Sequence, residues 1–510
     1  MNTSKHLLAL DVGTTAVKTC LFDENLRMSA LSSAEYKLQT PGPDIVELDP
    51  CQYWQACVNG IRKVLQESKI RAEQVKVITL ATQGETLIPV GSDGKPLMNA
   101  IVWLDARATG EAAALGGRFT PDDYYRHTGL PEVGPANPVA KILWIKNQKP
   151  DIYSACTRFL LLQDFLVFLL TGRQVTEPSL ASSTGYFDLS TDQWWGEILD
   201  FAGIPAHSLP EVLPSGYPVG TLTKSAAAEL GLPESVIVTT GAMDQIAAAL
   251  ASGNFRPGKL VDMTGSALII AASTSAPDFT PPVKVTLYRH YRPGLYLVIP
   301  YCPTAGIILK WFKDEFCAPE AAEAVRTAVP LYQLLDQRAA EIAPGSNGLL
   351  LLPHFAGTLN PDCNPAARGV LFGIGLQTSR SHVIRAILES VGYMLRENVE
   401  LLETLGIEVP EIHAMGGGAA SPLWNSIKAD ITGKPVIVAM QEEAASLGAA
   451  MLGAVAVGWY KSIEEAWAKL EQDQRIFTPN AANRQAYDRA YRQYQRLYSC
   501  LRDYFQEAQT

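Results

Sequence analysis

The sequence predicts an α/β fold built of two duplicated lobes around a central cleft. Its 510 residues are more than one hydrophobic core usually holds. Apolar strands alternate with helices along the chain, which is typical of mixed sheets covered by helices. A strand–turn–strand pattern occurs once in each half, around Asp11 and again around Asp262. We therefore expect an N-terminal lobe over 1–250 and a C-terminal lobe over 251–510.

The first copy of the pattern begins with Leu7–Leu10, a continuous apolar run of the kind found in buried strands. Gly13 favours a sharp reversal, with the hydroxyls of Thr14 and Thr15 at its tip, and β-branched residues then favour a second strand. An aspartate at a strand end beside such a turn can hold a phosphate and its Mg²⁺. A surface hairpin whose aspartate only satisfies the turn is an equally good interpretation of this stretch alone.

The second copy favours the phosphate-binding interpretation. Leu260 to Ile270 has the same order of apolar strand, aspartate, Gly/Thr/Ser turn and apolar strand. The first copy is not a P-loop, since Val17 stands where that motif has the glycine before its lysine, here Lys18. One such turn in each half indicates a duplicated fold in which both turns face a shared cleft.

Composition limits the function. Hydrophobic residues make up 47% and charged residues 18%, as in soluble globular proteins, and the net charge of −10 argues against a nucleic-acid partner. The uncharged stretch 444–460 is shorter than the ~20 residues of a membrane span and is expected to be a core helix. No signal peptide, C-x-x-C pair or histidine metal-ligand spacing is evident, so we expect a reduced, cytoplasmic enzyme without structural zinc.

Two polar clusters follow apolar strands in the first half. The predicted elements before them are a strand over 28–37, a helix over 51–67 capped by Asp49, and strands over 75–81 and 87–90. Because active sites of α/β sheets lie outside strand ends, these clusters could bind a polyhydroxylated ligand. Their members are Gln83, Gly84, Glu85, Trp103, Asp105 and Arg107. A surface ion pair between Asp105 and Arg107 is the alternative.

Asp244 is the candidate general base. Residues 120–230 resemble a lobe insertion with helices over 139–149 and 159–170, and an apolar strand then leads to Gly241 and a helix. Asp244 falls in the first turn of that helix, where it could accept a proton from a substrate hydroxyl. Stabilisation of the helix end alone would also explain it.

The second half contains a glycine-rich turn before a capped helix. A turn at 345–348 precedes a buried strand, and a helix is predicted over 380–405. After a strand at 411–415, Gly416–Gly418 and Ser421 lead into another helix, and such a turn lets a nucleotide approach the backbone. The C-terminal tyrosines, spaced 4-3-4 from Tyr487 to Tyr498, indicate a packing face.

Together these segments resemble the FGGY carbohydrate kinases, on the duplicated RNase H-like fold of actin, Hsp70 and hexokinase. The resemblance covers nearly the whole chain. Asp11-Val-Gly-Thr-Thr15 and Asp262-Met-Thr-Gly-Ser266 look like the family's phosphate motifs, and Met415-Gly-Gly-Gly-Ala419 like its adenosine motif. Gly369 to Glu389 matches a family signature, and Asn137-Pro-x-x-Lys141 resembles another except that Ala136 departs at its first position.

The resemblance implies a role for each motif. Asp244 would be the catalytic base, with Gln245 beside it at the substrate, and Asp11 would hold Mg²⁺. ATP would be the phosphoryl donor. Its binding residues would be Gly13, Thr14, Thr15, Lys18, Thr264, Gly265, Ser266, Gly417, Gly418, Ala419 and Asn425.

The substrate is less sharply indicated. Trp103-Leu-Asp105-Ala-Arg107 resembles the xylulokinase pattern, whereas Glu85-Thr86 matches glycerol kinases, and Gly84 stands where those have arginine. We therefore expect the substrate to be a ketopentose and the enzyme to act in xylulose metabolism. Glycerol, erythritol, L-xylulose, ribulose and gluconate are alternatives, as is an actin/Hsp70-like ATP-driven binding protein. The expected partner is a small sugar or polyol, with homodimerisation as a further expectation and no nucleic acid or membrane.

Overall fold

The computed structural model describes residues 4–439, 443–470 and 474–508. These residues form two compact units, and the chain passes between them more than once. The first unit contains 4–255, 275–297 and 443–470, and the second contains 256–274, 298–439 and 474–508. The strand Tyr296–Ile299 lies where the chain passes from the first unit to the second.

The first unit is built on a mixed sheet whose middle strand is Val75–Thr82. The order of its main strands is Pro218–Thr221, Ile237–Thr239, Val75–Thr82, His6–Val12, Ala16–Asp23 and Met28–Glu35, with Ala242–Met243 also paired to Val75–Thr82. A second sheet has the order Gln39–Gly42, Ile45–Leu48, Ala100–Ile101, Leu87–Val90 and Arg158–Leu161. The shorter strands are Val175–Thr176, Phe187–Asp188, Gln193–Trp194, Glu211–Val212 and Thr286–Arg289.

Helices cover this first sheet and fill the rest of the unit. They are Pro50–Ser68, Thr109–Arg118, Pro121–Thr128, Pro138–Gln148, Pro150–Ala155, Leu162–Thr171, Pro178–Ser182, Gly196–Ala202, Lys224–Leu230, Asp244–Ala251, Ala444–Ala456 and Ile463–Ala468. Pro50–Ser68 starts as predicted, because the Asp49 carboxylate accepts the Cys51 N–H at 2.9 Å and proline fills the first helical position. Ile61 and Val64 of this helix are fully buried.

The second unit has a sheet of the same kind. Its main strands are ordered Leu268–Thr274, Leu260–Thr264, Ile412–Met415, Val436–Ala439 and Gln474–Phe477, with Tyr301–Cys302 beside the first. Leu350–Leu352 and Val370–Phe372 form a separate antiparallel pair. The helices are Gly306–Phe316, Ala318–Thr327, Leu331–Ala340, Arg380–Thr404, Pro422–Thr432 and Ala481–Glu507.

Each unit carries one hairpin of the predicted type. We name His6–Val12 with Ala16–Asp23 the first hairpin, and Leu260–Thr264 with Leu268–Thr274 the second hairpin. Both are antiparallel, and in both the first strand also pairs in parallel with a later strand of its sheet. The repeated sequence pattern therefore corresponds to a repeated structure.

One predicted helix begins later than expected. Residues 159–170 were expected to be helical throughout, but Arg158–Leu161 is a strand and the helix is Leu162–Thr171. The reason is that this strand pairs with Leu87–Val90 in the second sheet, which continuous apolar residues also permit. The Asp164 carboxylate then accepts the Leu161 N–H at 2.8 Å, which marks the helix start.

The uncharged stretch near residue 450 forms the helix Ala444–Ala456, most of which is buried within the first unit. No helix among the described residues has both the length and the hydropathy to cross a membrane. At the C-terminus, the tyrosine stripe is a packing face as predicted. Tyr487, Tyr491 and Tyr494 are buried in the second unit.

Candidate active site

Three strand ends of the first unit meet at one edge of its sheet. Val75–Thr82 lies between His6–Val12 and Ala242–Met243, and all three strands are parallel. In register, Asp11 is opposite Ala81 and Met243 is opposite Thr82. Asp11, the segment after Thr82 and Asp244 therefore leave the sheet at the same edge, where ligands of α/β proteins bind.

Asp244 is the first residue of the helix Asp244–Ala251. Its Oδ1 accepts the Gln245 N–H at 2.7 Å. Burial raises the pKa of the Asp244 carboxyl to about 7, and the nearby negative charges of Asp11 and Glu85 add to that rise. A carboxyl with a pKa near neutrality is suited to accept a proton from a hydroxyl group.

Gly241 allows the turn before Asp244 to press against the central strand. Its φ is +70°, and a Cβ atom there would lie 1.9 Å from the Leu80 carbonyl oxygen. Any other residue would push the Asp244 turn away from the sheet. The glycine singled out in the sequence is therefore required by backbone packing.

Asp11 lies half-buried at the end of the first hairpin's first strand. Burial raises the pKa of its carboxyl to about 6, and the charge of Lys18 opposes the rise. Lys18 forms an ion pair with Glu443, whose Oε2 is 2.7 Å from the lysine Nζ. Gly13 does not have a positive φ, and a Cβ there would meet only the Ala16 oxygen at 3.5 Å, so the turn itself does not demand glycine.

The tip of the first hairpin contacts one of the predicted substrate residues. The Trp103 indole Nε1 donates to the Thr14 hydroxyl at 2.9 Å, and Trp103 is 37% exposed. Thr15 is exposed at the tip. The phosphate turn and the predicted substrate cluster are thus adjacent within this unit.

Glu85 has a left-handed backbone conformation, and a buried lysine bonds to its carbonyl oxygen. Its φ is +52°, and its carbonyl oxygen accepts the Lys141 ammonium at 2.9 Å. Lys141 also donates to the Val102 carbonyl at 3.0 Å, which joins the two polar clusters. Burial raises the pKa of Glu85 and lowers the pKa of Lys141, and the Tyr288 hydroxyl donates to the Glu85 carboxylate at 3.4 Å.

Asp105 and Arg107 form an ion pair with each other, as in the alternative to ligand binding, but the pair is buried and not on the surface. The guanidinium contacts both carboxylate oxygens at 2.8 and 2.7 Å, and it also contacts Glu47 at 2.7 Å. Asp105 is fully buried and also accepts the Val46 N–H at 2.6 Å. Their predicted role in substrate binding stays a prediction.

The two glutamines of the predicted substrate set have open hydrogen-bonding capacity. Gln83 donates from Nε2 to the Tyr53 hydroxyl at 3.3 Å. Among the described residues, the buried Oε1 atoms of Gln83 and Gln245 have no hydrogen-bond partner. Gly84 is buried beside Met243 and Ser183, so its lack of a side chain serves packing.

In the second unit, the aspartate of the second hairpin is bonded to a buried lysine. Lys428 Nζ lies 2.6 Å from Asp262 Oδ2 and 2.7 Å from the Thr264 hydroxyl, which in turn donates to Asp262 Oδ1 at 2.6 Å. All three side chains are fully buried. The Thr264 hydroxyl is therefore bonded to both members of the buried ion pair, while Gly265 and Ser266 at the tip are exposed.

The triple-glycine turn packs against the second hairpin. Gly416 has a φ of +76°, and a Cβ there would lie 2.9 Å from the Thr264 oxygen; a Cβ at Gly418 would lie 2.8 Å from the Thr264 side chain. A Cβ at Gly417 would meet nothing within 4 Å. Two of the glycines thus permit packing, and Gly417 is exposed.

The adenosine motif continues into the helix Pro422–Thr432. Ser421 caps it by accepting the Trp424 N–H at 3.0 Å. Asn425 donates from Nδ2 to the Ala419 carbonyl at 2.8 Å, which fixes the end of the glycine turn. Its buried Oδ1 has no partner among the described residues, so the predicted nucleotide motif retains one free acceptor.

The described residues contain no group of three or more histidine, cysteine, aspartate or glutamate side chains placed to hold a metal ion. Mg²⁺ that accompanies a nucleotide needs only one or two carboxylates, because phosphate oxygens and water supply its other ligands. Asp11, half-buried beside a turn, fits that requirement.

Sequence reasoning missed Lys141, Tyr288, Glu443 and Lys428. Lys141 stood in the family-like stretch that begins at Asn137, and that was the available signal. The other three lie far along the chain from their partners, so nothing local in the sequence marked them.

Comparison with known families identifies the family of the chain. The N-terminal domain of the FGGY family of carbohydrate kinases matches residues 6–251, and its C-terminal domain matches residues 264–457. The chain belongs to the FGGY family of carbohydrate kinases and is therefore a phosphotransferase of carbohydrate metabolism. The resemblance seen in the motifs is confirmed, and the alternative of an ATP-driven binding protein is not supported.

Characterised relatives differ in substrate. The xylulose kinase of Bacillus subtilis is 30% identical over 98% of both chains, and the gluconokinase of that species is 29% identical over 90% of this chain and 89% of its own. The autoinducer-2 kinase of Yersinia enterocolitica is 28% identical over 97% of this chain and 94% of its own. The family is settled, and the individual substrate is not.

Solved structures confirm the fold class. The xylulose kinase from Rhodospirillum rubrum superposes with a TM-score of 0.89 at 29% identity, over 98% of this chain and all of that one. The Plasmodium falciparum glycerol kinase, solved with ADP, has a TM-score of 0.87 at 22% identity, over 96% and 97% of the two chains. The two-lobed α/β fold predicted from the sequence is thus the observed one.

Proposed function

We propose that this kinase transfers the γ-phosphoryl group of ATP to a hydroxyl of a neutral ketopentose or related polyol, as a xylulokinase does. The observation that carries the proposal is Asp244. It stands at the start of a helix, on the sheet edge that also carries Asp11, with its pKa raised to about 7 by burial. Asp244 accepts the proton of the substrate hydroxyl as its oxygen attacks phosphorus.

In each unit, the residues predicted to bind the nucleotide lie at turns. Thr14 and Thr15 of the first hairpin offer hydroxyls to phosphate oxygens, and Ser266 at the exposed tip of the second hairpin does the same. Gly13 and Gly265 lie in the same turns, where the Gly13 N–H donates to the Ala16 carbonyl and the Gly265 N–H to the Ala267 carbonyl, each at 3.0 Å. The exposed backbone at Gly417 and the free Asn425 acceptor suit a nucleoside. Mg²⁺ at Asp11 would neutralise charge on the phosphates, in keeping with phosphoryl transfer by positioning and charge stabilisation.

Charge supports a neutral sugar over an aldonate such as gluconate. The Asp244 carboxyl has Asp11 and Glu85 as electrostatic neighbours, which makes this part of the first unit acidic. The cations described beside these groups have partners already, since Lys18 is paired with Glu443, Lys141 with two carbonyls and Arg107 with Asp105. A substrate carboxylate would be repelled there, whereas hydroxyls can donate to carboxylates.

A substrate panel tests the proposal. ATP turnover is measured with D-xylulose, L-xylulose, D-ribulose, glycerol, erythritol and D-gluconate at equal concentrations. We expect a ketopentose to raise turnover at least 100-fold over the rate without sugar, and gluconate to raise it less than tenfold. Dominant activity with gluconate would overturn the neutral-substrate proposal, and no stimulation by any sugar would overturn the wider one.

A reducing, cytoplasmic setting is part of the proposal. No two cysteines of the described residues form a disulfide bond, and five of the eight, Cys20, Cys57, Cys156, Cys302 and Cys317, are buried or partly buried. Proteins of oxidising compartments rarely have so many cysteines outside disulfide bonds.

A further inference from the structure

A buried glutamate, Glu177, lies under the turn that carries the base. It is fully buried and caps the helix Pro178–Ser182. Its carboxylate accepts the Ser179 N–H at 2.9 Å, the Leu180 N–H at 2.8 Å and the hydroxyls of Ser179 and Ser215. Burial raises the pKa of Glu177 and these four donors oppose the rise. Four donors match the four lone-pair sites of an ionised carboxylate.

Ser179 connects this carboxylate to the base. Its hydroxyl donates to Glu177, so its oxygen is free to accept, and it accepts the Met243 N–H at 2.9 Å. Met243 immediately precedes Asp244. A single side chain, that of Ser179, therefore connects the Glu177 carboxylate to the backbone N–H of the residue before the base.

Ser215 forms a second connection on the other side of the turn. The next residue, Gly216, donates its N–H to the Gly241 carbonyl at 3.1 Å, and the Tyr217 N–H donates to the Thr240 hydroxyl at 3.0 Å. Glu177 thus anchors two segments that bond to residues 240–243, one at Thr240 and Gly241 and the other at Met243.

We propose that Glu177 and Ser179 are positioning residues for Asp244, which rests on the proposed function in that Asp244 is the base. Hydrogen bonds to a charged acceptor are shorter and more directional than neutral ones, so a buried carboxylate fixes its donors firmly. A misplacement of about 1 Å at a reacting group can cost about 100-fold in rate. The network keeps the Asp244 carboxyl at its place without contacting a substrate.

The chain offers a matched pair of serines for the test. Ser179→Ala removes the acceptor of the Met243 N–H. Ser182 lies on the same helix, is equally buried, and its hydroxyl likewise accepts a backbone N–H, that of Arg289 at 3.0 Å. Ser182→Ala therefore deletes a similar hydroxyl that bonds to Arg289 and not to the segment before Asp244.

We expect Ser179→Ala to lower kcat about tenfold with KM for ATP and for the sugar unchanged within twofold, and Ser182→Ala to leave kcat within twofold. Equal kcat losses in both variants, or losses that appear in KM alone, would overturn the proposal. Glu177→Gln keeps the shape of the side chain but replaces one acceptor oxygen with an NH₂ group, which cannot accept from the donors that now bond to that oxygen. We expect its kcat loss to be at least that of Ser179→Ala.

A double variant separates positioning from general damage. In an Asp244→Asn background, Ser179→Ala is expected to cost less than twofold more, because the group it positions is already gone. A further tenfold loss would show that Ser179 acts elsewhere. Failure of the wild-type enzyme to phosphorylate any sugar would instead reject the proposed function, so the two failures are distinguishable.

Discussion

The two hairpins share a sequence pattern and a pairing geometry, yet their aspartates have opposite surroundings. In the first hairpin Asp11 is opposite Lys18 in register, but Lys18 is bonded to Glu443 and the carboxyl of Asp11 has a raised pKa. In the second hairpin Asp262 is opposite Ile270, and its cation is Lys428 from a helix. One aspartate is accessible, and the other is sealed in an ion pair.

This difference indicates how a duplicated motif can divide two tasks. A metal or phosphate can approach a half-buried carboxylate whose neighbouring lysine is engaged elsewhere. It cannot approach a fully buried carboxylate that already has an ammonium and a hydroxyl on its two oxygens. We infer that Asp11 serves the ligand and that Asp262 holds the helix Pro422–Thr432 to the second hairpin.

The largest expected effect is that of substituting Asp244, which lies at the same sheet edge as the accessible Asp11. Asp244→Asn keeps the size of the side chain but removes the proton acceptor, so kcat should fall about 1,000-fold. ATP affinity, measured by calorimetric titration, should stay within twofold. A variant that retains a tenth or more of wild-type kcat would remove Asp244 from the role of base.

Substitution of Lys428 tests the buried ion pair of the second hairpin. Lys428→Met leaves the Asp262 carboxylate buried without its ammonium, and the free energy of unfolding should fall by about 3 kcal/mol in urea titrations. The control is Lys434→Met, which breaks a more exposed pair with Glu403 and should cost less than about 1 kcal/mol.

A double variant in which both members of the Asp262–Lys428 pair are neutral tests whether the loss of stability comes from the unpaired charge. Adding Asp262→Asn to Lys428→Met removes the uncompensated charge while the amide can still accept the Thr264 hydroxyl. At least half of the lost stability should return. If the double variant is no more stable than Lys428→Met, the pair is not what holds this part of the second unit.

Asp11 and Asp262 should differ in their effect on magnesium. Asp11→Asn should lower kcat about 100-fold at fixed Mg²⁺, a loss of about 2.7 kcal/mol, and should raise the Mg²⁺ concentration for half-maximal rate. Asp262→Asn should leave that concentration within twofold, whatever it does to stability. Equal shifts in both variants would abolish the distinction between the hairpins.

Much of the fold could be predicted because its signals are local. Apolar runs, the Asp49 cap and the Ser421 cap with Pro422 each act within a few residues, and the structure shows the helices that they predicted. The prediction of a helix at residues 159–161 was wrong because an apolar run suits a buried strand and a buried helix equally. The pairing with Leu87–Val90 makes these residues a strand.

The site was predictable in its backbone turns and less so in its charges. Asp244 and the glycine turns follow strands directly, so sequence order places them. The partners of Lys18 and Asp262 are more than 160 positions away, and no periodicity relates them. Asp105 and Arg107 show the converse, since two neighbouring charged residues that suggested a binding cluster bond to each other.

The smallest expected effect concerns pH and stability on the accessible side. The Asp244 pKa is about 7 in the folded protein against 3.8 for an unperturbed aspartate, so between these values the folded state holds a proton that the unfolded chain has released. Stability linked to Asp244 is therefore present at low pH and is lost as pH rises through about 7. The Asp244→Asn variant does not lose this stability as pH rises, because the amide does not titrate.

Without nucleotide or Mg²⁺, the stability of Asp244→Asn relative to wild type should rise by about 1 kcal/mol between pH 4.5 and pH 8, a value reduced to allow for the partial exposure of the carboxyl. Thermal unfolding across this range measures it, with Ser182→Ala as a control whose offset from wild type stays constant. A constant offset for Asp244→Asn as well would mean that the carboxyl is already ionised at pH 4.5, and the crowding of negative charge at this strand end would then carry no energetic cost.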